Sequence, residues 1–81
     1  MGNFIMYINI ENEGWKAILL TKNSQPLKYM IEEIYKYDEN VEVLITYAEN
    51  GKEEKLIQFN NFISQKNLDL SKVYEKAALI K

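Results

Sequence analysis

The chain has 81 residues, a formal net charge of −2 and no histidine, cysteine or arginine. Histidine and cysteine supply most transition-metal ligands and the commonest acid–base and nucleophilic groups, and arginine is the preferred side chain for phosphates and guanine edges. Their absence argues against an enzyme, against a bound metal or cofactor, and against sequence-specific nucleic-acid recognition.

The length predicts one small globular domain over residues 1–81. Such a domain buries only about 60–65% of its unfolded surface, so a dimer or another partner is a reasonable expectation. There is no apolar run near the roughly 18 residues of a membrane span and no secretory signal pattern, which predicts a cytoplasmic protein without membrane contact. Abundant lysine, asparagine and isoleucine have AT-rich codons, which indicates an AT-rich bacterium or one of its phages or mobile elements.

The first predicted element is a β-hairpin over residues 4–21. A three-residue loop over 12–14 puts Gly14 where a bulged turn needs a left-handed residue. This register opposes Ile8 to Ile18, so that apolar side chains meet on one face.

A helix is predicted next, over Gln25–Tyr37. Ser24 is suited to cap it, and Pro26 fits the first turn, where its missing N–H costs nothing. The 3.6-residue period predicts a buried face formed by Leu27, Met30, Ile31, Ile34 and Tyr35.

A second hairpin follows over residues 41–59. Residues 50–51, an Asn-Gly pair, are typical of a two-residue turn, but the resulting regular register opposes apolar residues to polar ones. A three-residue loop over 49–51 instead opposes Val43 to Ile57, and a one-residue slip would turn every side chain to the other face. The hydrophobic match therefore favours the three-residue loop.

The chain ends in a predicted helix that begins near Ser71, because a strand there would alternate poorly. Its apolar side is Val73, Tyr74, Ala77 and Ile80. The expected fold class is α+β, in the order ββα–ββα, with a four-stranded, mainly antiparallel sheet packed against helices. The fourth strand, which begins with charged residues, is the expected edge.

The first hairpin has apolar residues on both faces, although a solvated sheet normally alternates apolar and polar side chains. Tyr7, Trp15 and Leu19 lie on the surplus face and are candidate protein-interface residues, since tryptophan and tyrosine are enriched at binding hot spots. In the alternative interpretation, the C-terminal helix folds back over this face, or Trp15 only shields its neighbours.

A second candidate interface is an acidic segment over residues 32–54, whose eight acids and two lysines give a local charge of −6. Such a surface could attract a basic partner. The alternative is an ordinary solvated surface with charges that protect an edge strand. The candidate interface residues of this segment are Asp38, Glu39, Glu49, Glu53 and Glu54.

These features predict a non-catalytic protein-binding domain, an inhibitor or regulator of a host protein encoded by a phage or other mobile element. The expected partner is a protein, for which a basic nucleic-acid-binding enzyme is one candidate, and a homodimer is a further expectation. One alternative is a structural subunit of a larger assembly. The other is single-stranded nucleic-acid binding, which the pI of about 5.1 disfavours. It would use tyrosines such as Tyr74 and the lysines Lys55, Lys66, Lys72, Lys76 and Lys81.

Overall fold

The structure, a computed structural model, describes residues 2–10, 13–37, 41–60 and 69–79. Within these residues the strands and helices, in chain order, are β1 (Asn3–Ile10), β2 (Trp15–Thr21), α1 (Gln25–Tyr37), β3 (Val41–Glu49), β4 (Lys52–Asn60) and α2 (Ser71–Leu79).

The four strands form one antiparallel sheet in the order β2-β1-β3-β4. The sheet and the two helices confirm the predicted α+β class. The first strands of the two hairpins pair with each other at the centre, and their return strands lie outside. The predicted position of β4 at an edge is therefore confirmed, and β2 forms the opposite edge.

Both helices pack on one face of the sheet. Leu27 and Ile31 of α1 and Val73 of α2 belong to the same buried cluster as the inward side chains of β1 and β3. At about 25 cal/mol per Å² of apolar surface, this cluster is the main source of stability. Its members are Phe4, Met6, Leu27, Ile31, Val41, Val43, Ile45, Tyr47, Leu56, Phe59 and Val73.

The helix ends follow the sequence signals with one difference. The Ser24 carbonyl accepts the Leu27 N–H at 3.1 Å, and α1 has the predicted bounds. At α2, Ser71 is the first helical residue rather than the cap. The Asp69 carboxylate accepts its N–H at 2.9 Å, and hydrogen bonds from Ser71 lower the pKa of Asp69.

The register of the first hairpin differs from the predicted one. Ile8 pairs with Lys16 rather than Ile18, and Met6 pairs with Leu19. The predicted register is wrong because a β-bulge leaves Ile18 as an extra residue in β2. Ile18 and Leu19 both pack against the core, which a regular alternation does not allow.

The loop of this hairpin contains the predicted left-handed glycine. Gly14 has a φ of +87°, and its N–H donates to the Asn9 side-chain oxygen at 3.1 Å. Residues 11 and 12 lie outside the described residues, and with them part of the predicted loop over 12–14.

The second hairpin has a two-residue turn, so the predicted three-residue loop is wrong. Glu49 pairs with Lys52, and the residues between them, Asn50 and Gly51, have φ values of 54° and 78°. Two consecutive positive φ angles define a type I′ turn, which is the form that an Asn-Gly pair favours.

A bulge in β4 reconciles this turn with the hydrophobic pattern. The ladder shifts by one residue at Leu56, so Val43 pairs with Phe59 and not with Ile57 as predicted. Leu56 itself is only 5% exposed. The pairing of apolar with polar residues that argues against a two-residue turn, such as Tyr47 opposite Glu54, therefore occurs only in the half of the hairpin nearest the turn.

Gly51→Ala is expected to lower the free energy of unfolding by about 1 kcal/mol, because a side chain disfavours left-handed backbone. No heavy atom lies within 4 Å of an added Cβ, so the cost is conformational rather than steric. Urea unfolding measures it, and Lys52→Ala, at an exposed neighbouring position, is the control with an expected change within about 0.5 kcal/mol. Equal losses in the two variants would contradict a left-handed requirement at Gly51.

Candidate functional site

The sheet has a second face, on the side away from both helices. Paired residues of an antiparallel ladder share a face, so the pairs Ile5–Leu20 and Tyr7–Ala17 lie there, followed by Trp15. These residues carry no charge, and we refer to them as the uncharged patch. The patch is Ile5, Tyr7, Trp15, Ala17 and Leu20.

The uncharged patch is open to solvent in the part of the chain that the structure describes. Leu20 is 65% exposed and Trp15 is 42% exposed. The C-terminal helix packs on the opposite face through Val73, which is 2% exposed. The alternative in which this helix covers the surplus face of the first hairpin is therefore wrong.

One predicted member of this face is misplaced. Leu19 pairs with Met6 and packs against the core, whereas its neighbour Leu20 lies on the second face. The prediction is wrong at Leu19 because the bulge at Ile18 reverses the alternation for the rest of the strand. Tyr7 and Trp15 do lie on the same face, as predicted.

A polar network borders the patch and connects three strands. Glu53 of β4 accepts hydrogen bonds from the Tyr7 hydroxyl of β1, at 2.5 Å, and from the Thr46 hydroxyl of β3, at 2.7 Å. Thr46 is 4% exposed, so its hydroxyl needs this internal partner. The carboxylate thus ties the rim of the patch to the other hairpin.

The electrostatics of this network keep each group in its ordinary charge state. The hydrogen bond to Glu53, and then burial, raise the pKa of Tyr7, while the bonds from Tyr7 and Thr46 lower the pKa of Glu53. Both shifts lead away from neutral pH. A general acid or base is most effective with a pKa near the working pH, so these two groups are suited to positioning rather than to proton transfer.

The acidic segment does not form one continuous free surface. Glu49 accepts a hydrogen bond from Tyr47 at 3.1 Å, and Glu54 forms an ion pair with Lys76 at 2.7 Å. Together with Glu53, three of the five predicted acidic residues therefore have internal partners. The other two, Asp38 and Glu39, lie outside the described residues.

Tyr47 organises the turn end of the second hairpin. Its ring meets Phe4 edge-on, with the centroids 5.2 Å apart, and the Lys76 ammonium lies 5.3 Å from its centroid. Its hydroxyl accepts the Gly2 N–H at 3.2 Å. Burial, and then the bond to Glu49, raise its pKa.

Tyr47, Glu49, Glu54 and Lys76 are among the residues that line a depression of about 490 Å³ beside the turn. Glu54 and Lys76 form an ion pair there, and the hydrogen bond to Glu54 raises the pKa of Lys76, as expected for a stabilised ammonium. Within the described residues, no three acidic side chains converge closely enough to hold a metal ion.

The lysines proposed for nucleic acid are dispersed. Lys76 forms an ion pair with Glu54, and Lys66 and Lys81 lie outside the described residues. Tyr74 is 48% exposed on α2. A carboxylate next to the sheet-face tyrosine, Tyr7, would repel phosphates.

Sequence reasoning did not identify the contacts between Tyr7, Thr46 and Glu53 or between Gly2 and Tyr47. The only available signal was Thr46, a polar residue inside the apolar run of β3. Its need for a partner could be anticipated, but the partner depends on the two-residue turn, which places Glu53 on the same face as Thr46.

Comparisons of this chain with protein-family models, with curated proteins and with solved structures give no match. Among the described residues, neither helix has the length and apolar character needed to cross a bilayer.

Proposed function

We propose that this chain is a non-catalytic protein-binding domain that docks on its partner through the uncharged patch, with Trp15 as the anchor. The proposal includes the ββα–ββα arrangement as a rigid scaffold for the patch. It also includes a role as an inhibitor or regulator of a host protein, encoded by a phage or another mobile element and acting in the cytoplasm.

The observation that supports the proposal is the exposure of Trp15 and Leu20 on a surface without charges. Clustered apolar side chains on a small domain are a typical mark of an interaction surface. A tryptophan can contribute a large part of the binding energy when the partner excludes water around it. The acidic segment supports the proposal less, since its candidate residues Glu49, Glu53 and Glu54 have partners within the chain.

The chemistry of the second face suggests what the partner presents. Opposite the uncharged patch we expect an apolar surface. On the β3–β4 half of the same face, Glu42 and Glu53 outnumber Lys55, so we expect basic groups in the partner there. A basic nucleic-acid-binding enzyme would meet both requirements.

Trp15→Ala is expected to weaken the complex at least tenfold, equivalent to about 1.4 kcal/mol, without changing its salt dependence. The partner is first isolated by comparing the proteins that the wild type and the variant capture from a lysate of the encoding bacterium. Calorimetric titration of the isolated partner then gives the affinity.

The matched control is Tyr74→Ala, which removes an aromatic side chain of similar exposure from α2. We expect it to bind like the wild type. Equal affinity of Trp15→Ala and wild type, with both proteins folded by circular dichroism, would overturn the proposed docking surface.

Single-stranded nucleic acid is the alternative ligand and has its own test. Fluorescence anisotropy with a labelled oligonucleotide at low salt should show no binding if the proposal is correct. Binding that weakens steeply with added salt would favour the alternative. If the chain is instead a subunit of a larger assembly, the captured protein will copurify with it in fixed stoichiometry.

A further inference from the structure

The two edges of the sheet differ in how they are protected. β4 begins with four charged residues, 52–55, and α2 lies beside it through the Lys76–Glu54 ion pair. Charges and covering helices are the usual means by which proteins prevent edge-to-edge pairing. β2 also has a helix against it, since α1 contacts this strand, but Lys16 is its only charged residue, so the difference between the two edges lies in charge.

We infer that β2 pairs antiparallel with β2 of a second copy of this chain, which joins two four-stranded sheets into one of eight strands. An edge strand with a single charge offers backbone donors and acceptors to another strand, and a twofold axis lets identical edges satisfy each other. This inference goes beyond the proposed function and is tested without a partner, although Trp15, Ala17 and Leu20 of the uncharged patch lie on the strand that pairs.

The faces of β2 select a register for this pairing. Ala17 and Leu20 point to the second face, while Lys16, Leu19 and Thr21 point to the core face. Paired residues must share a face. Placing Ala17 opposite Leu20 of the second copy meets this condition and also brings Lys16 opposite Thr21.

The charges of β2 are compatible with pairing to β2 of a second copy. In this register, no lysine meets a lysine of the second copy. Lys22, just beyond the strand, falls opposite the other copy's Trp15, where an ammonium is attracted to the indole face. Leu20, 65% exposed in the single chain, would contact Ala17 directly and reach Trp15 diagonally.

The consequence for the molecule is a larger second face. The two uncharged patches meet at the twofold axis, because β2 carries Trp15, Ala17 and Leu20 and lies at the joined edge. The eight-stranded sheet keeps the helices on one side and presents the joined patches on the other.

Sedimentation equilibrium of the purified protein, from micromolar to millimolar concentration, tests the pairing without any partner. The wild type is expected to reach twice the chain mass of 9.6 kDa. Leu20→Lys should raise the dimer dissociation constant at least tenfold, because it introduces a charge at the joined edge. Tyr29→Lys, at a 59% exposed position on α1, should leave the dissociation constant unchanged.

Cross-linking tests the register itself. The chain has no cysteine, so Ala17→Cys combined with Leu20→Cys should form a covalent dimer on mild oxidation. The two positions are separated by about 10 Å along one strand, which is too far for a bond within one chain. Tyr29→Cys combined with Tyr74→Cys should not cross-link under the same conditions.

A wild type that stays monomeric over the whole concentration range would overturn the inference. Equal effects of Leu20→Lys and Tyr29→Lys on the dissociation constant would overturn it as well. Partner binding is measured separately through Trp15→Ala and its control, so that failure of the pairing can be distinguished from failure of the proposed docking.

Discussion

Phe4→Ala is expected to lower the free energy of unfolding by about 3–5 kcal/mol, the usual loss when a fully buried phenylalanine is truncated. Phe4 is 0% exposed and packs edge-on against Tyr47. An 81-residue domain has a total stability of roughly 4–12 kcal/mol, so this loss is a large fraction of the total. Urea unfolding followed by circular dichroism measures the change.

The same variant has a local consequence at Tyr47. Burial is the main reason for the raised pKa of Tyr47, and the loss of the Phe4 ring opens one side of its environment to water. We expect its pKa to move back toward 10.0, which NMR titration of the assigned Tyr47 ring in the folded variant can follow. Tyr29→Ala, at a 59% exposed position, is the stability control with an expected change within about 0.5 kcal/mol. A loss below about 1 kcal/mol in Phe4→Ala would contradict a fully packed site.

Glu53→Ala is expected to lower the free energy of unfolding by about 1–2 kcal/mol, because it leaves the buried Thr46 hydroxyl without its acceptor. This expected loss is smaller than the loss for a hydrogen bond to a fully buried carboxylate, because Glu53 itself is exposed. Glu42→Ala, on the same face but bonded to the exposed Gln58, is the matched control and should cost less.

Glu53→Gln separates the charge of this side chain from its shape. The folded state lowers the pKa of Glu53, so the stabilisation is present above its unfolded value of about 4.5 and is lost as the pH falls through the folded value. Unfolding free energies measured between neutral and acidic pH should therefore fall more steeply for the wild type than for Glu53→Gln. Parallel pH profiles would contradict a role for the charge.

The elements themselves follow from local signals in the sequence. Ser24, Pro26 and the 3.6-residue apolar period define α1, and the same period predicts α2 in preference to a strand. These signals depend on short-range chemistry, in which capping, backbone restriction and amphipathic spacing all act within one turn of helix.

The registers could not be predicted in the same way. The run from Ala17 to Leu20 is continuously apolar, so its alternation contains no trace of the bulge at Ile18. The pattern therefore predicts Leu19 on the second face instead of Leu20. Whether a bulge forms depends on how three strands and the core pack together. The sequence of a single strand does not contain this information.

The candidate site, too, could be predicted only in part from the sequence. Tyr7 and Trp15 can be assigned to a surplus apolar face from the sequence, because they lie on the regular side of the bulge. The internal partners of Glu53 and Glu54 cannot, because Tyr7 and Lys76 come from distant segments, whereas Glu49 bonds to Tyr47 only two residues earlier in β3. Net charge along a segment therefore overstates the acidity of the surface it forms.

The two bulges also determine where the chain can change in length. Ile18 and Leu56 interrupt the outer strands at the level where Met6 pairs with Ile45, so each hairpin consists of a tip and a base with independent registers. The base holds most of the core, but Tyr47 of the core cluster and the patch residues Tyr7, Ala17 and Trp15 lie in the tips. Residues inserted within a turn itself can be absorbed without reversing the side chains of the base. The two-residue turn at Asn50 and Gly51 is therefore a suitable position for an engineered insertion, such as an epitope tag or a labelling site.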